Sequence, residues 1–193
     1  VMTALCVVIA FAGVIRGGLL STSDSNLGSV RYRCERMGAS FQGHFSDMPL
    51  VGGAGVAPIN LTNLLMWVLS PKVFNNWVYA LCLSIGTVGL YCFLRWRGVS
   101  VPGACLGGVV AFWVGSNLTL LAAGHVGKFV VLALFGLALW GLDRAVATVS
   151  VVWALFVGCA LGVMFGDQQD VALFFGILMG GYSLFALWRE YGN

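Results

Sequence analysis

The chain has 193 residues, of which 60% are hydrophobic and 9% are charged, and its mean hydropathy is +0.94. An ordinary soluble domain carries roughly 25% charged residues, so this composition excludes a soluble globular protein and indicates an integral membrane protein. The formal net charge of +3 is small and scattered, which argues against nucleic acid as a partner.

Six apolar stretches are long enough to cross a membrane. A helix needs about 20 residues to span a hydrocarbon core about 30 Å thick, and no stretch alternates as a strand would. The sequence therefore predicts an all-α, polytopic fold in one transmembrane domain, residues 1–193. The predicted spans are 2–20, 73–94, 101–123, 128–142, 147–166 and 171–188.

The first connection, residues 21–72, contains a further predicted helix. The segment "INLTNLLMWVLSP" is apolar on one helical face and carries Asn60, Thr62 and Asn63 elsewhere. This pattern is typical of an amphipathic helix that lies in the membrane interface.

Six spans assign the connections to alternate faces of the membrane. Residues 21–72, 124–127 and 167–170 share one face, called the odd end, while 95–100, 143–146 and the C-terminus share the even end. The even-end connections are short and each carries arginine, which is typical of cytoplasmic loops. We therefore expect the odd end to be extracytoplasmic.

Glycines recur four residues apart within the apolar stretches. Such spacing lets two helix backbones approach closely, so we expect tight helix packing at these pairs. They are Gly13/Gly17, Gly103/Gly107, Gly158/Gly162 and Gly176/Gly180.

Two polar stretches of the first connection contain candidate catalytic carboxylates. Asp24 lies in "STSDSN", and Asp47 follows His44 in "GHFSDMP". A carboxylate at the membrane surface can act as a general base or hold a divalent cation. Ser, Asp and Asn are equally typical of ordinary turns, so both interpretations stay open at this point.

Two shorter odd-end connections carry the other candidate residues. "AGHVGK" contains His125 and Lys128, and "GDQQD" is residues 166–170. Each stretch alone is typical of a polar turn at the interface. Together they predict a shared pocket that binds substrate, because ionisable groups at membrane depth are candidates for function. The candidate substrate-binding residues are His125, Lys128, Asp167, Gln168, Gln169 and Asp170.

Four segments resemble a known family in order and spacing. They are "GHFSDMPLVGGAGVAPINLTNLLMWVLSP", "YCFLRWRGVS", "AAGHVGKFVVLALFGLALWGLDR" and "GDQQDVALFF". Together they resemble the N-terminal half of YfhO-type bacterial membrane proteins, which look like GT-C glycosyltransferases. The resemblance runs from about Ser21 to Phe185, and it implies that the chain is a fragment or a shortened form of a longer protein.

The resemblance implies a location and a reaction. The protein would lie in the bacterial cytoplasmic (inner) membrane and would transfer a sugar from a polyprenyl-phosphate donor to a cell-surface acceptor. Asp24, with Asp47 as the second choice, would deprotonate the acceptor or hold a divalent cation. His125 and Lys128 would face the departing phosphate.

By the same resemblance, Gln168, Gln169 and Asp170 would bind sugar hydroxyls. A different function stays open beside this one. The paired acidic motif of many GT-C enzymes is absent near Asp24. The alternative is therefore a non-catalytic subunit, derived from the GT-C fold, that binds other membrane subunits in a larger complex.

Overall fold

The computed structural model describes residues 2–23, 25–40, 44–46, 53–55 and 60–192, and the side chains of residues 36–59 are not described. Most of these residues are helical, and the two short strands pair antiparallel, with Phe45 opposite Ala54. The elements in chain order are α1 Met2–Ala10, α2 Ala12–Ile15, α3 Leu27–Ser40, β1 His44–Ser46, β2 Gly53–Gly55, α4 Leu61–Val68, α5 Pro71–Trp96, α6 Val101–Phe112, α7 Gly115–Ala123, α8 Val126–Thr148, α9 Val151–Asp167 and α10 Gln169–Tyr191.

The predicted all-α, polytopic membrane fold is confirmed, but the number of spans differs. Four stretches of the described chain are long and apolar enough to cross a membrane: α5, α6 with α7, α8 and α10. The fifth, α9, is apolar but has 17 residues. Their exposed apolar side chains indicate contact with membrane lipid.

The first predicted span, 2–20, is wrong in its length. Helical hydrogen bonds continue from α1 into α2, since the Phe11 amide donates to the Val7 carbonyl at 2.9 Å. The helix then ends before Gly17, which has a φ of +93°. From Met2 to Ile15 it rises about 21 Å at about 1.5 Å per residue, which is less than the core thickness.

The predicted loop 143–146 is also wrong, because α8 continues to Thr148. Asp143 is fully buried. Its Oδ1 accepts hydrogen bonds from the Tyr182 hydroxyl at 2.7 Å and from Arg189 Nη2 at 3.2 Å. Arg97 Nη1 lies 3.6 Å from Oδ2. The charged residues that predicted a surface loop are therefore paired with residues of neighbouring helices. Because these contacts satisfy the charge of Asp143 inside the bundle, α8 continues through this position.

Glycines allow close helix packing at one predicted pair, where a Cβ on Gly107 of α6 would lie 2.7 Å from Leu94 Cδ1 of α5, and at a crossing of α5 and α8 that the predicted pairs did not include. A Cβ on Gly89 of α5 would lie 2.5 Å from the Leu137 amide, and one on Gly136 of α8 would lie 2.6 Å from the Gly86 carbonyl oxygen. In contrast, a Cβ on Gly158, Gly162 or Gly180 would meet nothing within 4 Å among the described atoms. The α5–α8 crossing is the centre of the bundle.

The predicted helix in the first connection is α4, and it buries polar side chains beside apolar ones while it exposes an aromatic ring. Asn60 caps its N-terminus by accepting from the Asn63 amide at 2.8 Å. Thr62, Asn63 and Met66 are buried, while Trp67 is 66% exposed. Polar groups thus face the protein and an aromatic ring faces outward, as suits a helix at the lipid interface.

Candidate functional site: a polar cavity at the odd end

A polar cavity of about 210 Å³ lies where α3, α4, α8 and α9 meet. We call it the odd-end cavity. Its wall combines residues of the first connection with residues of the two later odd-end connections. The side chains that matter here are Arg33, Asn60, Thr62, His125, Asp167 and Gln168.

Asp167 joins the last turn of α9 to the start of α4. Its Oδ2 accepts from the Leu61 amide at 3.1 Å, and its Oδ1 accepts from the Thr62 amide at 3.0 Å. The first amides of a helix have no partner within it, and a carboxylate there also interacts favourably with the helix dipole. Asp167 therefore stabilises one wall of the cavity.

The glycines of "AGHVGK" explain how the connections come so close together. Gly124 ends α7 in the left-handed conformation, with a φ of +89°, and a Cβ there would lie 2.7 Å from Thr22 Oγ1. A Cβ on Gly127 would lie 3.0 Å from the Asp167 carbonyl oxygen and from Gln168 Oε1. The motif is thus a close-packed turn that also lines the cavity.

The six predicted substrate-binding residues divide into two groups. His125, Asp167 and Gln168 line the cavity, whereas Lys128, Gln169 and Asp170 do not. Asp170 is exposed and accepts from Gln168 Nε2 at 2.7 Å. Lys128 and Gln169 lie in the first turns of α8 and α10. The roles of all six in substrate binding stay predictions.

Both predicted catalytic residues, Asp24 and Asp47, lie outside the described residues. Within the described part of the chain, no group of three or more His, Cys, Asp or Glu residues is arranged to hold a metal ion. The one carboxylate among the cavity residues described here, Asp167, already accepts two backbone hydrogen bonds. A divalent cation stays a prediction, because the two carboxylates predicted to hold it, Asp24 and Asp47, are outside the described residues.

Arg33 is the cavity residue that the sequence did not single out. It belongs to α3, a helix that the sequence analysis did not predict, and it contributes a positive charge to the wall.

The next residue, Cys34, contacts the protein interior, and its thiol donates to the Met66 carbonyl at 3.3 Å. Burial raises the pKa of the Cys34 thiol, so it stays protonated at neutral pH and is a poor nucleophile.

We expect Gly124→Ala to destabilise the protein by about 2 kcal/mol. A left-handed conformation costs a non-glycine residue about 1–2 kcal/mol, and the new methyl group would also press on Thr22 and Ser25. Gly98→Ala is the matched control, because Gly98 has a φ of +81° and a Cβ there would meet nothing within 4 Å among the described atoms. The free energy of unfolding in detergent measures both, and equal losses would contradict a packing role for Gly124.

The fold and the cavity define a polytopic α-helical membrane protein with a polar cavity at one end of its helices. Comparison with models of protein families, with curated proteins and with solved structures gave no match. The resemblance to YfhO-type proteins therefore rests on the four sequence segments quoted above.

Proposed function

We propose that the chain is the membrane-embedded core of a GT-C-like glycosyltransferase. In this proposal the odd-end cavity lies on the outer side of the bacterial cytoplasmic membrane. It receives the phosphate-bearing head of a polyprenyl-phosphate sugar, and the sugar passes to a cell-surface acceptor. The observation that carries the proposal is the meeting of Arg33, His125 and Gln168 in one polar cavity at the end of apolar helices.

The size of the cavity agrees with a headgroup rather than a whole donor. Pockets that enclose drug-sized ligands measure about 300–1,000 Å³, whereas this cavity measures about 210 Å³. A phosphate or a single sugar ring suits that volume. The polyprenyl chain would stay in the surrounding lipid.

The charges suit the chemistry of the leaving group. The acceptor hydroxyl oxygen attacks the anomeric carbon and gives its proton to a base, the role expected of Asp24 or Asp47, while the bond from that carbon to the phosphate oxygen breaks, so negative charge builds up on the phosphate. Fixed positive groups and hydrogen-bond donors that point at such charge stabilise it, and Arg33 does so from an exposed position, where water weakens the effect. Arg33 supplies the charge and His125 a donor, and Gln168 is placed to bind sugar hydroxyls.

We expect Arg33→Gln to raise the Kd for polyprenyl phosphate about tenfold. A hydrogen bond to a charged group contributes about 1.5–3 kcal/mol, and about 1.4 kcal/mol corresponds to a factor of ten. Titration of the purified chain in detergent with a short-chain polyprenyl phosphate gives the Kd. Lys72→Gln removes an exposed positive charge from the start of α5 and should leave the Kd unchanged. An equal rise of the Kd in both variants would show that the ligand responds to the overall charge of the protein and not to Arg33.

The open glycine face of α9 favours a second function, in which the chain is a non-catalytic subunit of a membrane complex. A Cβ on Gly158 or Gly162 would meet nothing within 4 Å among the described atoms, so this face is open to another transmembrane helix. The titration separates the two functions. A folded wild-type chain that does not bind polyprenyl phosphate would favour the subunit.

A further inference from the structure

Gln168 lies between α9 and α10, lines the odd-end cavity, and is bound by a carboxylate outside it. Its Nε2 donates a hydrogen bond to Asp170 Oδ1 at 2.7 Å. Asp170 belongs to the first turn of α10, where a negative charge interacts favourably with the helix dipole. A hydrogen bond to an ionised acceptor is stronger than one between neutral groups. The carboxylate therefore restricts the side-chain amide of Gln168.

The charge of Asp170 decides which end of that amide faces it. An exposed aspartate is ionised at neutral pH, and an ionised carboxylate accepts hydrogen bonds but has no proton to donate. The nitrogen is the donor of the Gln168 amide, so it must lie toward Asp170. Oε1, the acceptor, then lies on the other side.

The oxygen of this amide lies on the side of the cavity. A Cβ on Gly127 would lie 3.0 Å from Gln168 Oε1, and Gly127 lines the cavity, whereas Asp170 does not. Because position 127 has no side chain, nothing from this position covers the oxygen. In the part of the chain that the structure describes, no hydrogen bond reaches Gln168 Oε1, so it can accept one from a ligand.

Asn60, another amide side chain of the cavity wall, is already used within the protein. Its Oδ1 accepts from the Asn63 amide at 2.8 Å, and its Nδ2 donates to the Gly166 carbonyl at 3.4 Å. Arg33 can only donate. Gln168 therefore gives the wall an acceptor with a fixed direction, and Arg33 gives it positive charge.

We propose that Asp170 is a positioning residue of the odd-end cavity, which holds Gln168 so that Oε1 accepts a hydrogen bond from a sugar hydroxyl. The inference rests on the proposed function, in which a polyprenyl-phosphate sugar enters this cavity. Asp170 then acts through Gln168 and does not contact the sugar itself. The ligand chemistry is a hydroxyl donor at Gln168 and an anion at Arg33.

The test compares two ligands that carry the same charge and differ in the sugar. The purified full chain in detergent is titrated with a short-chain polyprenyl phosphate joined to glucose, mannose or N-acetylglucosamine, and with the methyl ester of the same polyprenyl phosphate. We expect the wild type to bind the best of the sugar-bearing ligands about fivefold more tightly than the methyl ester. That factor corresponds to about 1 kcal/mol, the contribution of one hydrogen bond.

Three variants separate positioning from direct contact. Asp170→Asn should lower the preference for the sugar to less than about twofold, because an amide donates as well as accepts and no longer fixes which end of Gln168 faces it. Gln168→Ala should lose the preference too. The double variant should lose no more than Gln168→Ala alone, since residues that act as a unit are not additive. A further loss in the double variant would show that Asp170 contacts the sugar, and would overturn the positioning role.

Glu35→Gln is the matched control, because it also removes an exposed carboxylate from the odd end, and it should keep the preference of the wild type. An equal loss in Glu35→Gln and Asp170→Asn would overturn the proposal in favour of overall charge. Loss of folding would raise the Kd of both ligands, so their ratio reports position alone. If neither ligand binds the wild type, the proposed function itself is wrong. If both bind without a preference, the positioning role is wrong and the proposed function stands.

Discussion

Asp143→Asn should lower the free energy of unfolding by about 3 kcal/mol. Removing one partner of a buried ion pair costs about 3–5 kcal/mol. Arg97 and Arg189 are partly exposed, so water can solvate them, and we expect a loss at the lower end of that range. An amide keeps the size of the side chain but loses its charge. Two arginines would then face each other without the carboxylate between them.

Glu190→Gln is the matched control for this change. It also converts a carboxylate to an amide beside Arg189, but Glu190 is 40% exposed and 4.0 Å away. Exposed ion pairs contribute about 0–1 kcal/mol, so we expect little loss. Unfolding of both variants in a denaturing detergent, followed by circular dichroism, gives the comparison. Similar losses in the two variants would mean that Asp143 does not hold α5, α8 and α10 together.

Gly89→Ala should destabilise the protein by about 2 kcal/mol through the α5–α8 crossing. The added methyl group would lie 2.5 Å from the Leu137 amide and 2.6 Å from the Gly136 carbonyl carbon. Both are backbone atoms, so no side chain can rotate away and the two helices must separate. Adding a methylene group to a well-packed core costs about 1–3 kcal/mol.

Gly180→Ala tests the same substitution where there is space, since a Cβ on Gly180 of α10 would meet nothing within 4 Å among the described atoms. We expect its unfolding free energy to stay within about 0.5 kcal/mol of the wild type, as for most substitutions away from packed features. A stable Gly89→Ala protein would show that the two helices can separate without loss.

The sequence predicted the long helices well where local signals mark their ends. The second span was expected at 73–94, and α5 runs from Pro71 to Trp96. Ser70 caps its first turn, Pro71 suits that turn, and Gly98 follows its end in the left-handed conformation. These signals are local, so they are visible in the sequence.

The errors arose where the deciding contact lies far away in the chain. Asp143 and Arg144 looked like a polar loop, since nothing nearby shows that Asp143 contacts Tyr182 and Arg189 on α10. The close approach of α5 and α8 at glycines was missed for a similar reason. Spacing within one helix does not reveal that Gly89 meets Gly136 of another helix.

The candidate site was predictable in part. Alternation of the spans placed "AGHVGK" and "GDQQD" at the same end, and His125 and Gln168 do line one cavity. Arg33 was not found, because its helix, α3, has no long apolar run to reveal it. The hydrogen bonds of Asp167 to α4 were not predictable either, since they join residues more than a hundred positions apart.

The two ends of α4 lie in different surroundings. Its outer face carries Trp67 and Val68 toward lipid, while Asn60 and Thr62 at its other end form part of the cavity wall. A short helix anchored in this way keeps its height relative to the membrane surface. We therefore expect the width of the odd-end cavity to depend on bilayer thickness, because a thinner or thicker bilayer would shift Trp67 and the cavity wall with it.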